Sequence, residues 1–237
     1  MKKHSVLATL ALFGASVLFA ADADPKADVK AAAKKLGDKA NYSWTSTPKV
    51  DGAAGGGGFR PGPTEGQTAD GIVYLKSTFG DRTMESAAKG EKVISKTEDA
   101  WEVPDPDAQG PGRFIAARMK TFKAPAAEAA DLADKAKSLQ SADGAISGDL
   151  TEDGAKAYLT FGGRRPNADA PGPKDAKGSV KFWVKDGELA KYEFTVAGKI
   201  TRGDGNEMEI NRTTTVEIKD AGKTKLGLPD DAKKKLQ

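Results

Sequence analysis

Val180-Lys181-Phe182-Trp183-Val184-Lys185-Asp186-Gly187-Glu188-Leu189-Ala190-Lys191-Tyr192-Glu193-Phe194-Thr195-Val196 is the stretch that decides the fold. Val180, Phe182 and Val184 recur at every second position, as do Tyr192, Phe194 and Val196, and period two predicts strands. Asp186-Gly187 sits between the two runs and supplies the positive φ angles that a type I′ turn requires. The stretch therefore reads as an antiparallel hairpin. Downstream, Met208, Ile210, Thr214, Val216 and Ile218 alternate with Glu207, Glu209, Asn211, Thr213, Thr215 and Glu217. One face is apolar and the other polar, the mark of an antiparallel sheet wet on one side, with Arg212 the exception on the apolar face. Asp204-Gly205-Asn206 reads as the turn before this strand. Leu228-Pro229 then leads into a short closing helix with Ala232 and Leu236 inward and Lys233-Lys234-Lys235 solvated.

Upstream the same logic predicts a meander. Strand signals run over Gly71 to Phe79, Arg82 to Ala87, Lys92 to Lys96 and Ala100 to Val103, separated by Gly80-Asp81, Lys89-Gly90 and Glu98-Asp99. Pro104 to Gly112 breaks the sheet. Phe114, Ile115, Met119 and Phe122 follow at helical spacing, then a helix after Pro125 with Leu132, Ala136 and Leu139. Thr151 caps a third helix carrying Tyr158 and Leu159, with Gly162 past its end. Near the start, Asp24-Pro25 caps a helix with Val29, Ala32, Ala33 and Leu36, closed by Gly37. Asn41 to Thr47 is a strand with Tyr42 and Trp44 on one face, ending at Val50. Residues 51–70 and 163–178 read as Gly/Pro-rich loops, the first containing Gly55 to Gly58, Phe59 and Arg60. No repeat of fixed period is visible.

Met1 to Ala20 has the three parts of a secretory signal: Lys2 and Lys3, the apolar run Val6 to Phe19, and small residues, with cleavage fitting after Ala20 or after Ala23. The run is shorter than the ~20 residues a spanning helix needs, so no membrane span is expected after cleavage. A single domain over 24–237 and a periplasmic or secreted location follow. The chain has no cysteine, and its one histidine, His4, lies inside the signal. The mature protein thus lacks the usual neutral-pH base, the thiolate nucleophile, and the N and S ligands of zinc or haem. Disulfides and lipid attachment at cysteine are excluded with them. Losing Lys2 and Lys3 takes the formal charge from +3 to +1, with basic and acidic residues interspersed, which is not the footprint of a nucleic-acid binder.

Candidate chemistry fails on spacing. Gly222-Lys223-Thr224 would end a phosphate loop only with glycine at 217, where Glu217 stands. Gly55 to Gly58 lack the strand–loop–helix setting of a nucleotide site. The acidic groups Asp105/Asp107, Asp149/Glu152/Asp153 and Asp204/Glu207/Glu209 do not match a calcium loop. Neither a metal nor a cofactor is expected. A hydrolase using two carboxylates, a minor alternative, needs two acidic side chains facing each other about 5 to 9.5 Å apart. The aromatic residues of the strands are more informative. Ile72 and Tyr74 oppose Val73 and Leu75, and Trp183 opposes Phe182 and Val184, so some strands are apolar on both faces and need cover on both. Tyr42, Trp44, Ile72, Tyr74, Trp101, Phe182 and Phe194 are the candidate walls of an apolar ligand site. Phe59 is the candidate contact to an envelope partner.

Asp28 to Trp44 (helix into first strand), Lys89 to Val103 ending in Asp-Ala-Trp-Glu-Val, Lys181 to Phe194, and Val216 to Leu236 occur in an order that resembles the LolA/LppX-like family of periplasmic or cell-envelope lipoprotein and lipid carriers. The resemblance covers most of the mature chain at the level of architecture. It implies an α+β fold: a strongly curved antiparallel sheet forming an incomplete barrel, helices closing its mouth, and an apolar cavity for acyl chains. One branch of that family is lipidated, which this chain cannot be. The leading expectation is an exported, non-catalytic carrier for an apolar small molecule or lipid. The alternative is a structural or interaction module of the envelope with a fully packed sheet.

Overall fold

The computed structural model describes residues 24–51, 61–97, 100–105, 111–159, 172–201 and 205–237. The expected signal peptide and Phe59 lie outside them. The chain opens with α1 (Pro25–Gly37), capped by Asp24, whose Oδ1 accepts from the Lys26 and Ala27 amides at 3.0 and 3.2 Å. A side-chain acceptor here satisfies donors that the first helical turn leaves unpaired. Next come β1 (Asn41–Asp51), β2 (Pro61–Ala69), β3 (Ile72–Phe79), β4 (Arg82–Lys89), β5 (Lys92–Thr97) and β6 (Ala100–Glu102). Two helices, α2 (Pro111–Thr121) and α3 (Pro125–Lys135), precede the short strands β7 (Gln140–Ala142) and β8 (Ala145–Asp149). The chain ends with α4 (Glu152–Leu159), β9 (Lys174–Lys185), β10 (Glu188–Thr201), β11 (Glu207–Lys219) and α5 (Asp230–Lys235).

Among the described residues all the strands form one antiparallel sheet of eleven, ordered β6-β5-β4-β3-β2-β1-β11-β10-β9-β8-β7. Two meanders meet where β1 pairs with β11, Trp44 opposite Ile218 and Val50 opposite Arg212. The outer strands β6 and β7 do not pair, so the sheet curves without closing into a barrel. The register shift between Leu189 and Lys191 marks a bulge on β10, and the one between Ala197 and Lys199 a bulge on β9, where Asp175 and Ala176 stand opposite Gly198. A bulge bends its strand and increases the local twist, which is how a wide sheet curls. The predicted hairpin is present, with Asp186 and Gly187 at φ 54° and 71°. Thr151 caps α4 as expected, accepting from the Gly154 amide at 3.0 Å.

Several expectations are corrected. Within the predicted loop 51–70, residues 61–69 are β2, paired on both sides with β1 and β3. Its glycine content has a packing cause: a Cβ on Gly66 would lie 2.0 Å from Trp44 Cε2, so the indole rests directly on the backbone. Within the predicted loop 163–178, Lys174 to Gly178 already belongs to β9, and a Cβ on Gly178 would stand 2.6 Å from the Thr195 carbonyl oxygen. Bare backbone is required there, and glycine in a strand commonly marks such close approach. α3 stops at Lys135: Ala136 is extended and bridges Leu150, while the Lys137 amide donates to the Asp149 carbonyl at 2.9 Å. That pairing pulls Leu139 out of the helix. β7 and β8, joined through Asp143-Gly144 at φ 51° and 74°, are additional strands.

The sheet is covered on both faces. On one face α1 and α4 pack against β9 and β10, α3 packs against α1 and α4, and α2 lies over β4 and β5. The core between them includes Val29, Leu36, Leu132, Leu150, Leu159, Phe182 and Tyr192. On the other face Leu228, Ala232 and Leu236 of the C-terminal segment cover Ile72, Tyr74, Ala87, Ile94 and Trp101. This accounts for the two-sided apolar character of β3. The same outer face over β9 and β10 is polar, and there Lys181 Nζ and Lys191 Nζ lie 5.0 and 4.8 Å from the Trp183 ring centroid. Lysine stems shield this indole where no helix does.

Candidate ligand-binding site

The expected wall residues divide between the two faces. Tyr42, Trp44, Phe182 and Phe194 lie on the helix-covered face and are buried in its core. Tyr42 and Trp44 have ring centroids 5.6 Å apart, and Trp44 stacks on Phe122 at 6.2 Å with 17° between planes. Phe194 meets Tyr158 at 5.1 Å, and Phe182 meets Tyr192 at 6.3 Å. Ile72, Tyr74 and Trp101 belong to the opposite face, with Tyr74 and Trp101 6.2 Å apart beneath the C-terminal segment. The sheet stands between the two sets, so one cavity cannot be walled by both. The Tyr74 hydroxyl donates to Glu85 Oε2, and desolvation together with this carboxylate pushes the phenol well up.

The helix-covered face also holds a polar network. Tyr192 Oη donates to Glu128 Oε2 at 2.6 Å, and Tyr158 Oη donates to Asp131 Oδ2 at 2.7 Å. Lys135 and Lys123 pair with Asp131 Oδ1 at 2.5 and 2.9 Å. Arg212 Nη2 donates to the Tyr158 carbonyl at 2.5 Å, joining β11 to the last turn of α4. Carbonyls in a last turn have no intrahelical partner, and a cation is favoured there. An edge of Glu128 reaches the surface while its carboxylate is enclosed. Desolvation raises its pKa, against the hydrogen bond from Tyr192 and the attraction of Arg212. Desolvation also brings Arg212 down to about 10, with Glu128 opposing. Burial would raise Asp131, but hydrogen bonds from Lys135, Lys123 and Tyr158 outweigh it and hold the carboxyl at about 2. The network joins α3, α4, β10 and β11, and its hydrogen-bonding groups face one another.

Beneath α2 the packing differs. The floor there includes small polar side chains: Ser77, Ser86 and Ser95 are buried, and Thr64 Oγ1 donates to Ser77 Oγ at 3.0 Å. Ser86 Oγ donates to Met119 Sδ at 3.4 Å, a weak acceptor. A cleft of about 10 Å³ opens between this floor and the helix, lined by Ser77, Phe79, Met84, Ser86, Ile115, Arg118 and Met119. That volume holds about one water. Arg118 is half-buried, its guanidinium carbon 5.8 Å from the centre of the Phe79 ring, and desolvation lowers its pKa. A second groove of about 290 Å³ lies on the polar outer face, between Asp149 on one side and Glu193 on the other. Its walls of Ser147, Ser179, Lys181 and Thr195 suit water rather than an acyl chain.

Arg118 is a candidate that the sequence analysis does not single out, although it carries a signal. It falls within the helical spacing of Ile115, Met119 and Phe122, a cation set into an apolar stripe. Arg212 showed the same anomaly on a strand. Glu128, Asp131 and Met84 carried no such mark, because distance in the chain hides what they face.

No protein-family model matches the sequence, and no curated protein matches it. Among solved structures, the Mycobacterium tuberculosis lipoprotein LppX is similar at 10% identity, covering 87% of this chain and 99% of that one with a TM-score of 0.47. LprF from Mycobacterium bovis is similar at 9% identity, covering 87% and 96% with a TM-score of 0.47. What this chain binds has to follow from its own side chains.

Proposed function

We propose that this protein is an exported, non-catalytic carrier that shelters an apolar ligand, a lipid or acyl chain, on the helix-covered face of its sheet, with α2 as the element that lifts to admit it. The observation that carries this reading is the cleft under α2. Elsewhere on that face large side chains interlock, as Trp44 does with Phe122. Under α2, Met119 and Ile115 instead meet Ser77 and Ser86 beside Phe79 and Met84. A helix on such a floor loses little when displaced, because hydroxyls contribute little apolar burial. An acyl chain entering there gains about 0.8 kcal/mol per buried methylene. Some eight methylenes therefore supply about 6 kcal/mol before the costs of binding and of lifting α2 are subtracted. Tyr42 and Trp44 form the wall toward which the chain would extend. Among the described residues no helix is long and apolar enough to cross a membrane.

A second reading, an envelope interaction module, is favoured by the filled core between α1, α3, α4 and β9 to β11. Native mass spectrometry of protein purified from its own envelope separates the two. A bound lipid, or saturable uptake of a fluorescent fatty acid, is expected for the carrier. Protein that is consistently ligand-free and takes up no fatty acid overturns it in favour of the module.

A further inference from the structure

We infer that the ligand is a single-chain amphiphile with an anionic head, its acid group paired with Arg118 and its chain passing over Phe79, Met84, Ile115 and Met119. This rests on the carrier reading and adds the chemistry of the head.

Arg118 differs from the cations around the helix-covered core and along β5, and the other half-buried cation set over a ring, Lys191 above Trp183, stands on the polar outer face of the sheet. Lys123 and Lys135 pair with Asp131, Lys96 reaches Glu85 at 3.6 Å, and Arg212 donates to a carbonyl. Among the described residues no carboxylate pairs with Arg118; its close neighbour is the face of Phe79. A guanidinium drawn out of water is costly unless an anion meets it. A ring face returns only part of that cost. The planar fork of arginine matches a carboxylate or phosphate with two parallel N–H···O bonds, so an incoming anionic head completes what the fold leaves open. Ser86 stands in the same cleft and gives its proton to a sulfur, a poor acceptor that an acid oxygen readily replaces. Met84 and Met119 are unbranched, polarisable side chains that adapt to a chain of irregular shape. The cleft thus combines one cation, one loosely engaged hydroxyl and an apolar wall, which is the composition an amphiphilic acid requires.

The test compares cis-parinaric acid with its methyl ester, by ligand fluorescence, on the full mature protein and on Arg118→Met and Arg118→Lys. The two probes share a chain and differ in charge. The wild type is expected to bind the acid about tenfold or more tightly than the ester, the size of one charge-assisted hydrogen bond. Arg118→Met should bring the acid to the level of the ester and leave the ester within about twofold, while Arg118→Lys should keep part of the preference. Equal binding of acid and ester by the wild type overturns the inference and leaves the carrier reading standing. So does an equal loss of both ligands in a folded Arg118→Met. Failure of the wild type to bind either probe overturns the carrier reading itself, and this inference with it. The wild-type comparison decides even if Arg118→Met does not fold.

Discussion

Trp44 can lie flat on the sheet because residue 66 has no side chain. Placing a methyl group there puts it 2.0 Å from the indole, against a ring already stacked on Phe122. Gly66→Ala is therefore expected to destabilise the protein by about 1–3 kcal/mol, the usual cost of overfilling a packed core. Urea denaturation followed by tryptophan fluorescence measures it, and an unchanged midpoint would contradict the placement of Trp44. Arg212 and Glu128 give a second test. Removing one of two buried opposite charges strands the other, at a cost of about 3–5 kcal/mol when the pair is fully enclosed and less where an edge is wet. Arg212→Met should thus be destabilising, and Glu128→Gln combined with Arg212→Met should recover part of the loss.

Titration adds a sign to this. Asp131, held at about 2 in the folded chain, binds its proton more weakly than when unfolded. Its contribution is present above about pH 4 and is lost as pH falls toward 2. Glu128 is shifted the other way, so the folded state holds its proton more tightly than the unfolded one. Its penalty is absent at acid pH and grows as pH rises above the ordinary glutamate value of 4.5. Denaturation midpoints taken from pH 4.5 upward should therefore fall relative to those of Glu128→Gln. Parallel curves for the two proteins would contradict the enclosure of Glu128.

At the scale of elements, the helices are not equally held. α1 buries Val29, Ala32, Ala33 and Leu36 against α3 and the sheet, whereas α2 sits partly on serines, Ser77 and Ser86. Amide hydrogen exchange should be roughly tenfold or more faster in α2 than in α1, and should slow when a fatty acid is bound. Equal protection in both helices would remove α2 as the moving part. Strand pairing was legible wherever the turn chemistry was. Asp186-Gly187 revealed its hairpin, and Asp70-Gly71 and Asp143-Gly144 adopt the same paired positive φ angles. Those two carried the same signal. It was obscured for β2 because Pro61, Gly62, Pro63 and Gly66 resemble a loop in composition, and for β7 because Leu139 continued the helical period of α3. In both places tertiary pairing overrode local preference: β2 is held from both sides, and Ala136 pairs with Leu150.

At the scale of the whole molecule, one sheet separates two cores, and the C-terminal segment closes the smaller. The Gly227 amide donates to Gln67 Oε1 at 2.7 Å, which fixes where this segment crosses the sheet. Ending the chain after Lys225 would expose Ile72, Tyr74, Ile94 and Trp101. The loss of Leu228 and Leu236 alone should cost about 4 kcal/mol or more. Increased binding of a hydrophobic dye and a red shift of Trp101 emission would report it. Unchanged stability would mean that this face does not need its cover.

The sequence by itself determined the antiparallel class, most strands and helices, the two-sided burial of β3 and the absence of cysteine and histidine chemistry after the expected signal. Each of these depends on neighbours in the chain: alternation, caps and turn dipeptides act over a few residues. Only the tertiary structure decided that Tyr42, Trp44, Phe182 and Phe194 lie on one face and Ile72, Tyr74 and Trp101 on the other. It also decided that Glu128 meets Tyr192, and that Arg118 stands over Phe79 without a carboxylate among the described residues. The parity of a strand says which residues share its face. Which face is covered, and by what, is settled by contacts between residues far apart in the chain, which no local pattern records.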